Sequence, residues 1–193
     1  MGVGTRADGA ARDAQDRRLL DRVRGGDAAA FEALYRRFHP RLWRFLMNML
    51  RRPPLVEEVL NDTMLALWRR PERFDGSSRL STFIFAIAYR QGLQALRCLD
   101  LPVEEDPAHE PVDHGPGPDA VAGRAQLAGR LDAAIAALPV AQRLVVELTY
   151  AQELSYREIA EVLDCPVDTV KTRMFHARRR LRALLGGHVT DWI

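Results

Sequence analysis

The chain has 193 residues, which is enough for one medium-sized domain or two small ones. Because its formal net charge is only +2, binding to a polyanion must depend on local basic patches rather than on the overall charge. No apolar run is long enough to span a membrane, and the polar residues 1–17 do not resemble a secretory signal. We therefore expect a cytoplasmic protein without membrane insertion.

The two cysteines, Cys98 and Cys165, are far apart in the sequence and have no histidine or second cysteine at metal-ligand spacing. A disulfide between them is disfavoured in the cytosol. No arrangement of nucleophile, metal ligands or phosphate-binding glycines stands out elsewhere. We expect no metal site, no cofactor and no catalytic residue.

Apolar residues recur at helical spacing almost throughout, which predicts an all-α fold. Residues 1–17 are rich in Gly, Ala and Asp and are predicted to form a disordered tail. Gly25 and Gly26 end a short first helix, and Asp27 can cap the next. Pro40 should kink or divide this long second helix. Its apolar stripe comprises Phe31, Leu34, Tyr35, Phe38, Leu42, Phe45, Leu46 and Met49.

A third helix after Pro53 and Pro54 has two contrasting faces. The apolar face predicts burial and consists of Val56, Val59, Leu60, Thr63, Met64 and Leu67. The opposite, mainly polar face consists of Glu57, Glu58, Asn61, Asp62 and Leu65. After a turn at Asp75 and Gly76, the next helix is apolar on nearly every side. Residues 18–98 are therefore predicted to form one compact helical domain.

Residues 99–120 differ in composition from the rest of the chain. They contain five prolines and seven acidic residues but no Lys or Arg. Such a segment cannot bury a core and is predicted to be a flexible acidic linker. Its composition leaves open whether it is only a passive tether.

A second helical domain is predicted over residues 121–186, with a short tail at 187–193. Ser155 and Glu158 match the S-x-x-E capping box, which marks the start of a helix. The Asp-Cys-Pro corner at 164–166 favours a new helix start. The buried stripe of this last helix is predicted to be Val167, Val170, Met174, Ala177, Leu181 and Leu184.

The other faces of the last helix carry short polar residues near its start and arginines further along. A helix that enters the major groove of DNA has this distribution, with polar groups for base edges and arginines for phosphates. Asp168 at the reading end could cap the helix or accept from a cytosine amine, and we favour the cap. Regulators of several classes contain such a helix-turn-helix. The motif alone therefore does not identify the protein.

Taken together, the two halves resemble a sigma-70-family RNA polymerase sigma factor of the extracytoplasmic-function (ECF) group. The resemblance rests on the stretches "VEEVLNDTMLALWRRPERFDG" and "STFIFAIAYRQGLQALR", the helix before them at 27–50, and residues 138–185. It spans residues 18–185, with both motifs in the expected order. It implies two small helical domains, sigma domain two and sigma domain four, joined by the flexible acidic linker.

The resemblance also implies roles for individual residues. Core RNA polymerase binding, at the clamp helices, would involve Glu57, Glu58, Asn61, Asp62 and Leu65. Recognition and melting of minus-ten DNA would involve Phe74, Asp75, Ser77, Ser78, Arg79, Phe83, Tyr89, Arg90 and Arg97. Recognition of minus-thirty-five duplex would involve Ser155, Tyr156, Arg157, Asp168, Thr169, Lys171, Thr172, Arg173, His176, Arg179 and Arg180. For Phe85 we favour core packing over base contact.

The partners implied in this way are core RNA polymerase, contacted at its clamp helices and flap, promoter DNA, and an anti-sigma factor. The acidic linker would thread the polymerase channel and mimic RNA.

Two other functions are consistent with parts of the sequence. A stand-alone helix-turn-helix transcriptional regulator could use its N-terminal half for sensing or dimerisation, although the acidic linker and the lack of a βαβ pattern disfavour it. An enzyme would need an acid/base pair. Glu57 and Glu58 are clustered carboxylates on a predicted helix, but adjacent helical positions do not share a face.

Overall fold

The computed structural model describes the backbone of residues 4–99 and 124–186, and the side chains of residues 9–99 and 129–186. Within these ranges the chain is helical and contains no strand, which confirms the all-α prediction. The helices are α1 (Gly4–Arg24), α2 (Ala28–Leu50), α3 (Pro53–Arg69), a 3-10 turn (Pro71–Arg73), α4 (Leu80–Cys98), α5 (Arg124–Ala136), α6 (Val140–Tyr150), α7 (Tyr156–Leu163) and α8 (Val167–Leu185). Apart from Leu99, the predicted linker and the tail 187–193 lie outside the described residues.

Helix α1 corrects the expectation of a disordered tail over residues 1–17, because it begins at Gly4. Its C-terminal part is anchored by Leu20 and Val23, which are buried. Its N-terminal part is held mainly by polar contacts, such as the 2.7 Å ion pair between buried Asp16 and Arg37 of α2. Contacts of this kind leave no apolar periodicity, so the sequence pattern did not indicate them.

Helix α2 begins as predicted, with the Asp27 side chain accepting from the backbone N–H of Ala30 at 3.0 Å. It continues through Pro40 without being divided. Six members of its predicted apolar stripe are buried, including Phe38 and Phe45. Phe45 meets the fully buried Phe85 of α4 edge to face, with the ring centroids 5.1 Å apart. This confirms the core role favoured for Phe85.

The helix-turn-helix is formed by α7 and α8. Its capping box is confirmed, since the Ser155 side chain accepts from the backbone of Glu158 and the Glu158 carboxylate accepts from the backbone of Ser155. Asp164 ends α7 in the left-handed conformation, with φ 49°. In α8 the stripe from Val170 to Leu181 is buried, whereas its predicted last member, Leu184, is 50% exposed.

The N-terminal half (residues 4–99) and the C-terminal half (residues 124–186) pack directly against each other, α4 against α7 and α2 against α6. The Arg143 side chain of α6 is 1% exposed. Its Nε donates to the carbonyl oxygen of Asn48 in α2 at 3.0 Å, and its Nη1 donates to that of Ala136 at 2.7 Å. The buried apolar residues of the two halves form one core cluster.

Candidate functional site

The five residues predicted to bind polymerase share one side of α3, opposite its buried stripe. Glu58, Asn61 and Asp62 are exposed, Leu65 is 39% exposed and Glu57 is half-buried. The Asn61 side-chain oxygen accepts from the Tyr35 hydroxyl of α2 at 2.8 Å. The face is thus accessible and acidic, with one partly exposed apolar side chain at its C-terminal end.

The loop that precedes α4 is the first part of the predicted minus-ten surface. Gly76 has φ +82°, a conformation that glycine adopts without strain. Asp75 Oδ1 accepts from the backbone N–H of Ser77 at 2.9 Å and from its hydroxyl at 2.6 Å. These hydrogen bonds lower the pKa of Asp75 from its usual range. The side chains of Asp75 and Ser77 are both exposed, whereas Ser78 is half-buried.

Phe74 corrects the prediction for this surface. Its ring is 4% exposed and packs against Phe83, with the ring centroids 5.4 Å apart. The guanidinium of Arg17 covers it at 5.2 Å from the ring centroid. Burial of an aromatic ring stabilises the fold. The Phe74 ring therefore supports the loop from the core side and presents no face to a base.

The remaining minus-ten candidates lie along α4. Phe83 is half-buried, and Arg90 and Arg97 are exposed. Tyr89 is half-buried, and this burial raises the pKa of its hydroxyl, an effect that the nearby Arg173 opposes. The structure therefore brings two accessible cations and two partly exposed rings onto one helix.

The minus-thirty-five candidates surround the helix-turn-helix corner. The exposed members are Ser155, Arg157, Asp168, Lys171, Thr172 and Arg179, and the half-buried members are Tyr156, Thr169, Arg173, His176 and Arg180. The structure thus groups the whole predicted set on α7 and α8.

The cap favoured for Asp168 is wrong. Pro166 occupies the N-cap position of α8 and makes no side-chain cap bond. Asp168 lies within the first turn instead, where its Oδ1 accepts from Lys171 Nζ at 2.9 Å. One turn further along, the Thr172 hydroxyl donates to the Asp168 carbonyl oxygen at 2.9 Å. The ion pair between Asp168 and Lys171 is exposed, so it can rearrange at little cost in free energy.

The two predicted DNA-binding surfaces meet where the halves pack. Arg79 directly precedes α4, and its Nε lies 3.0 Å from Oε1 of Glu158 in α7. Its Nη1 donates to the carbonyl oxygen of Glu153 at 3.3 Å. Arg173 of α8 lies close to Tyr89 of α4, and its Nη1 is 3.9 Å from the sulfur of Cys165.

Sequence reasoning missed the residues that hold the minus-ten loop from α1. Arg17 donates to the carbonyl oxygens of Gly76 and Ser78, at 3.2 and 2.7 Å. Asp13 accepts from the backbone N–H of Leu80 at 2.8 Å. The available signal was the spacing of Asp13 and Arg17, four residues apart, which on a helix forms an ion pair.

In the described ranges, no three His, Cys, Asp or Glu side chains are grouped closely enough to hold a metal ion. No helix in these ranges combines the length and apolar character needed to cross a membrane.

Comparison with known families matches both halves of the chain. Residues 34–100 match the family model for Sigma-70 region 2, and residues 128–181 match that for Sigma-70, region 4. The "ECF RNA polymerase sigma factor RpoE" of Cereibacter sphaeroides is 35% identical over 163 residues, which cover 81% of this chain and 86% of the relative. The chain belongs to the ECF RNA polymerase sigma factors. The stretch that matches region 2 begins within α2 and ends just after α4, and α1 lies before it.

Other ECF sigma factors are similar over most of their length. SigK of Mycobacterium tuberculosis is 31% identical over 172 residues, which cover 86% of this chain and 91% of SigK. Among solved structures, that of CnrH in complex with the cytosolic domain of CnrY has a TM-score of 0.61 at 28% identity, covering 90% of this chain and 99% of CnrH. The predicted order of sigma domain two and sigma domain four is confirmed.

Proposed function

We propose that this ECF sigma factor binds core RNA polymerase, directs it to specific promoters and promotes opening of the DNA there. The observation that carries the proposal is the succession of sigma-70 regions 2 and 4 in one chain that spans most of a related sigma factor. Sigma factors are initiation factors, so the chemistry of RNA synthesis belongs to the polymerase. The proposed place of action is the cytoplasm, where the polymerase works.

The exposed face of α3 is the proposed contact with the polymerase clamp helices. Its carboxylates, Glu58 and Asp62, are exposed and would meet a basic partner surface, which favours encounter and correct orientation. Leu65 lies beside them with 39% of its surface exposed. Protein interfaces combine apolar side chains with polar ones at the rim, and this face offers both kinds.

The loop before α4 and the outward face of α4 are proposed to receive the separated minus-ten strand. Asp75, Ser77 and Ser78 provide polar groups, and Phe83 and Tyr89 provide rings that can stack on bases. The cations for the DNA backbone are Arg79, Arg90 and Arg97. Phe74 belongs to this site only as the support of the loop.

The C-terminal half is proposed to bind the minus-thirty-five element as duplex DNA, with the first turns of α8 in the major groove. Lys171, Thr172 and Arg173 lie in the second turn of that helix and would reach base edges or phosphates. Arg179 and Arg180 lie further along and would contact phosphates. This half is also proposed to contact the polymerase flap.

An anti-sigma factor is the proposed regulatory partner. CnrH, whose structure is similar, was solved in complex with the cytosolic domain of CnrY. The alternative of a stand-alone regulator with a sensing or dimerisation domain is not favoured, because its N-terminal half would have no reason to match sigma region 2 over residues 34–100.

Reconstituted transcription tests the proposal. The full chain is mixed with core RNA polymerase and a pool of promoter fragments whose two recognition elements are randomised, and run-off transcripts are sequenced. We expect stable binding to core polymerase and transcripts from a small subset of fragments that share both elements. Failure to bind core polymerase, together with no transcript from any fragment, would overturn the proposed function.

A further inference from the structure

Arg17 of α1 binds two carbonyl groups in the loop of residues 74–80. Arg17 donates from Nη1 to the carbonyl oxygen of Gly76 at 3.2 Å and from Nη2 to that of Ser78 at 2.7 Å. Its guanidinium also covers the Phe74 ring. A planar guanidinium with several donors can hold two carbonyl groups in a defined relative position, which an ammonium group cannot do.

The end of the same loop is held by Asp13. Arg79 is the N-cap residue of α4 but makes no side-chain cap bond. Asp13 Oδ1 takes over this task from another helix, because it accepts from the backbone N–H of Leu80 at 2.8 Å. Its other oxygen accepts from Arg17 Nε at 2.7 Å. The two α1 side chains therefore act as one hydrogen-bonded unit.

The contacts with α1 fall on every second residue of the loop. Arg24 Nη2 donates to the carbonyl oxygen of Phe74, and the bonds at residues 76, 78 and 80 follow in order. The side chains of Asp75 and Ser77, which lie between these contacts, are exposed.

Docking of α1 does not depend on these two residues. Leu20 and Val23 are buried in the core, and Asp16 is paired with Arg37 of α2 at 2.7 Å. Asp13 and Arg17 instead form hydrogen bonds with the loop backbone and with each other. Their removal should therefore loosen the loop while α1 stays in place.

We propose that Asp13 and Arg17 are positioning residues of promoter recognition: they hold the backbone of residues 74–80 so that its outward side chains meet the separated minus-ten strand. The inference rests on the proposed function. It extends the site to α1, which lies before the stretch that matches sigma-70 region 2.

Amide hydrogen exchange of the full chain, without DNA or polymerase, tests the positioning directly. In Asp13→Ala the Leu80 amide should exchange about fivefold faster, as expected for the loss of a helix cap. Asp13→Asn keeps an oxygen acceptor and should change the rate less. Arg18→Ala is the matched control, because Arg18 is an exposed arginine on the same helix.

Transcription assays test the purpose of the positioning. With core polymerase and a promoter fragment from the selection described above, Arg17→Ala and Asp13→Ala should slow open-complex formation about tenfold. The preference for the selected minus-ten sequence over one with a single base changed should also fall. Binding to core polymerase and binding to the minus-thirty-five duplex should match the parent protein and Arg18→Ala, which a general loss of folding would not allow.

The possible results separate the two proposals. If the parent protein transcribes from selected promoters but Asp13→Ala and Arg17→Ala behave as Arg18→Ala in both assays, the positioning inference is overturned. If exchange at Leu80 quickens while the minus-ten preference stays unchanged, α1 stabilises the loop without serving recognition, and the inference is again wrong. If the parent protein transcribes from no promoter, the proposed function itself fails.

Discussion

Arg79 and Glu158 form an ion pair that joins the two halves of the molecule, with Nε and Oε1 3.0 Å apart. The other carboxylate oxygen, Oε2, accepts from the backbone N–H and the hydroxyl of Ser155, at 2.8 and 2.7 Å. The Glu158 side chain thus takes part in capping α7 and also links this helix to the start of α4. Arg79 must exchange this partner before its Nε can contact a DNA phosphate.

Ser155→Ala should lower the free energy of unfolding by about 1 kcal/mol, because it removes the cap of α7. Glu158→Ala should cost more, about 2 to 3 kcal/mol, because it removes the carboxylate that accepts from the Ser155 backbone N–H and leaves Arg79 without its ion-pair partner. Urea unfolding followed by circular dichroism measures both changes. Glu161→Ala, at an exposed position of the same helix, is the control and should have little effect. If Ser155→Ala and Glu158→Ala lower the free energy of unfolding equally, the ion pair between Arg79 and Glu158 does not contribute to stability.

Glu147→Gln should stabilise the protein at neutral pH. Burial raises the pKa of Glu147, against a hydrogen bond from Gln152 and the charge of Arg44. The Glu147 carboxylate therefore binds a proton more readily in the folded state than in the unfolded state. At neutral pH, where this carboxylate is charged, it destabilises the fold. This penalty should fade as the pH falls through the raised pKa toward the ordinary value of 4.5.

The measurement is urea unfolding of both proteins over a series of pH values. The advantage of Glu147→Gln should be largest at neutral pH and should shrink on acidification. A difference that does not change with pH would contradict the assignment.

Asp62→Arg should weaken binding to core RNA polymerase at least about tenfold, because it places a cation where the proposed partner surface is basic. Binding of the C-terminal half to duplex DNA should not change. Fluorescence anisotropy with labelled core polymerase measures the first effect. Glu161→Arg makes the same charge reversal at an exposed position of α7 and should leave the affinity for polymerase as in the parent protein. Equal losses in both variants would remove α3 as the specific contact.

Arg173→Ala should reduce binding to the minus-thirty-five duplex by about 1 to 3 kcal/mol if it contacts a base edge, with loss of preference at one position. If it contacts a phosphate, binding should weaken for all sequences and become less dependent on salt. Binding of the holoenzyme to a selected promoter, measured over a range of salt concentrations, distinguishes these results. Arg182→Ala, outside the predicted reading set, serves as the comparison. A parallel loss of polymerase binding in Arg173→Ala would contradict the division of labour between the halves.

The helix-turn-helix illustrates what sequence reasoning can reach. The capping box at Ser155 and Glu158 and the buried stripe from Val170 to Leu181 are confirmed, because both depend on residues only three or four positions apart. Asp168 lies in the same region, yet its role was predicted wrongly. The favoured cap fails because the N-cap position belongs to Pro166, two residues earlier, and the Asp168 carboxylate accepts from Lys171 instead.

The sequence by itself determined the all-α class, most helix stretches and the buried faces of α2, α3 and α8. These properties follow from periodicity and from local hydrogen bonds within one turn of helix. Family resemblance then followed from the same stretches.

Only the tertiary structure decided how the candidate DNA-binding loop is supported. Leu80 lies 67 positions after Asp13, and Glu158 lies beyond the acidic linker from Arg79. The hydrogen bond and the ion pair that join these residues depend on how whole helices pack, and neither helical periodicity nor a capping rule constrains partners at such separations. For that reason Phe74 was predicted at the surface, whereas α1 covers it.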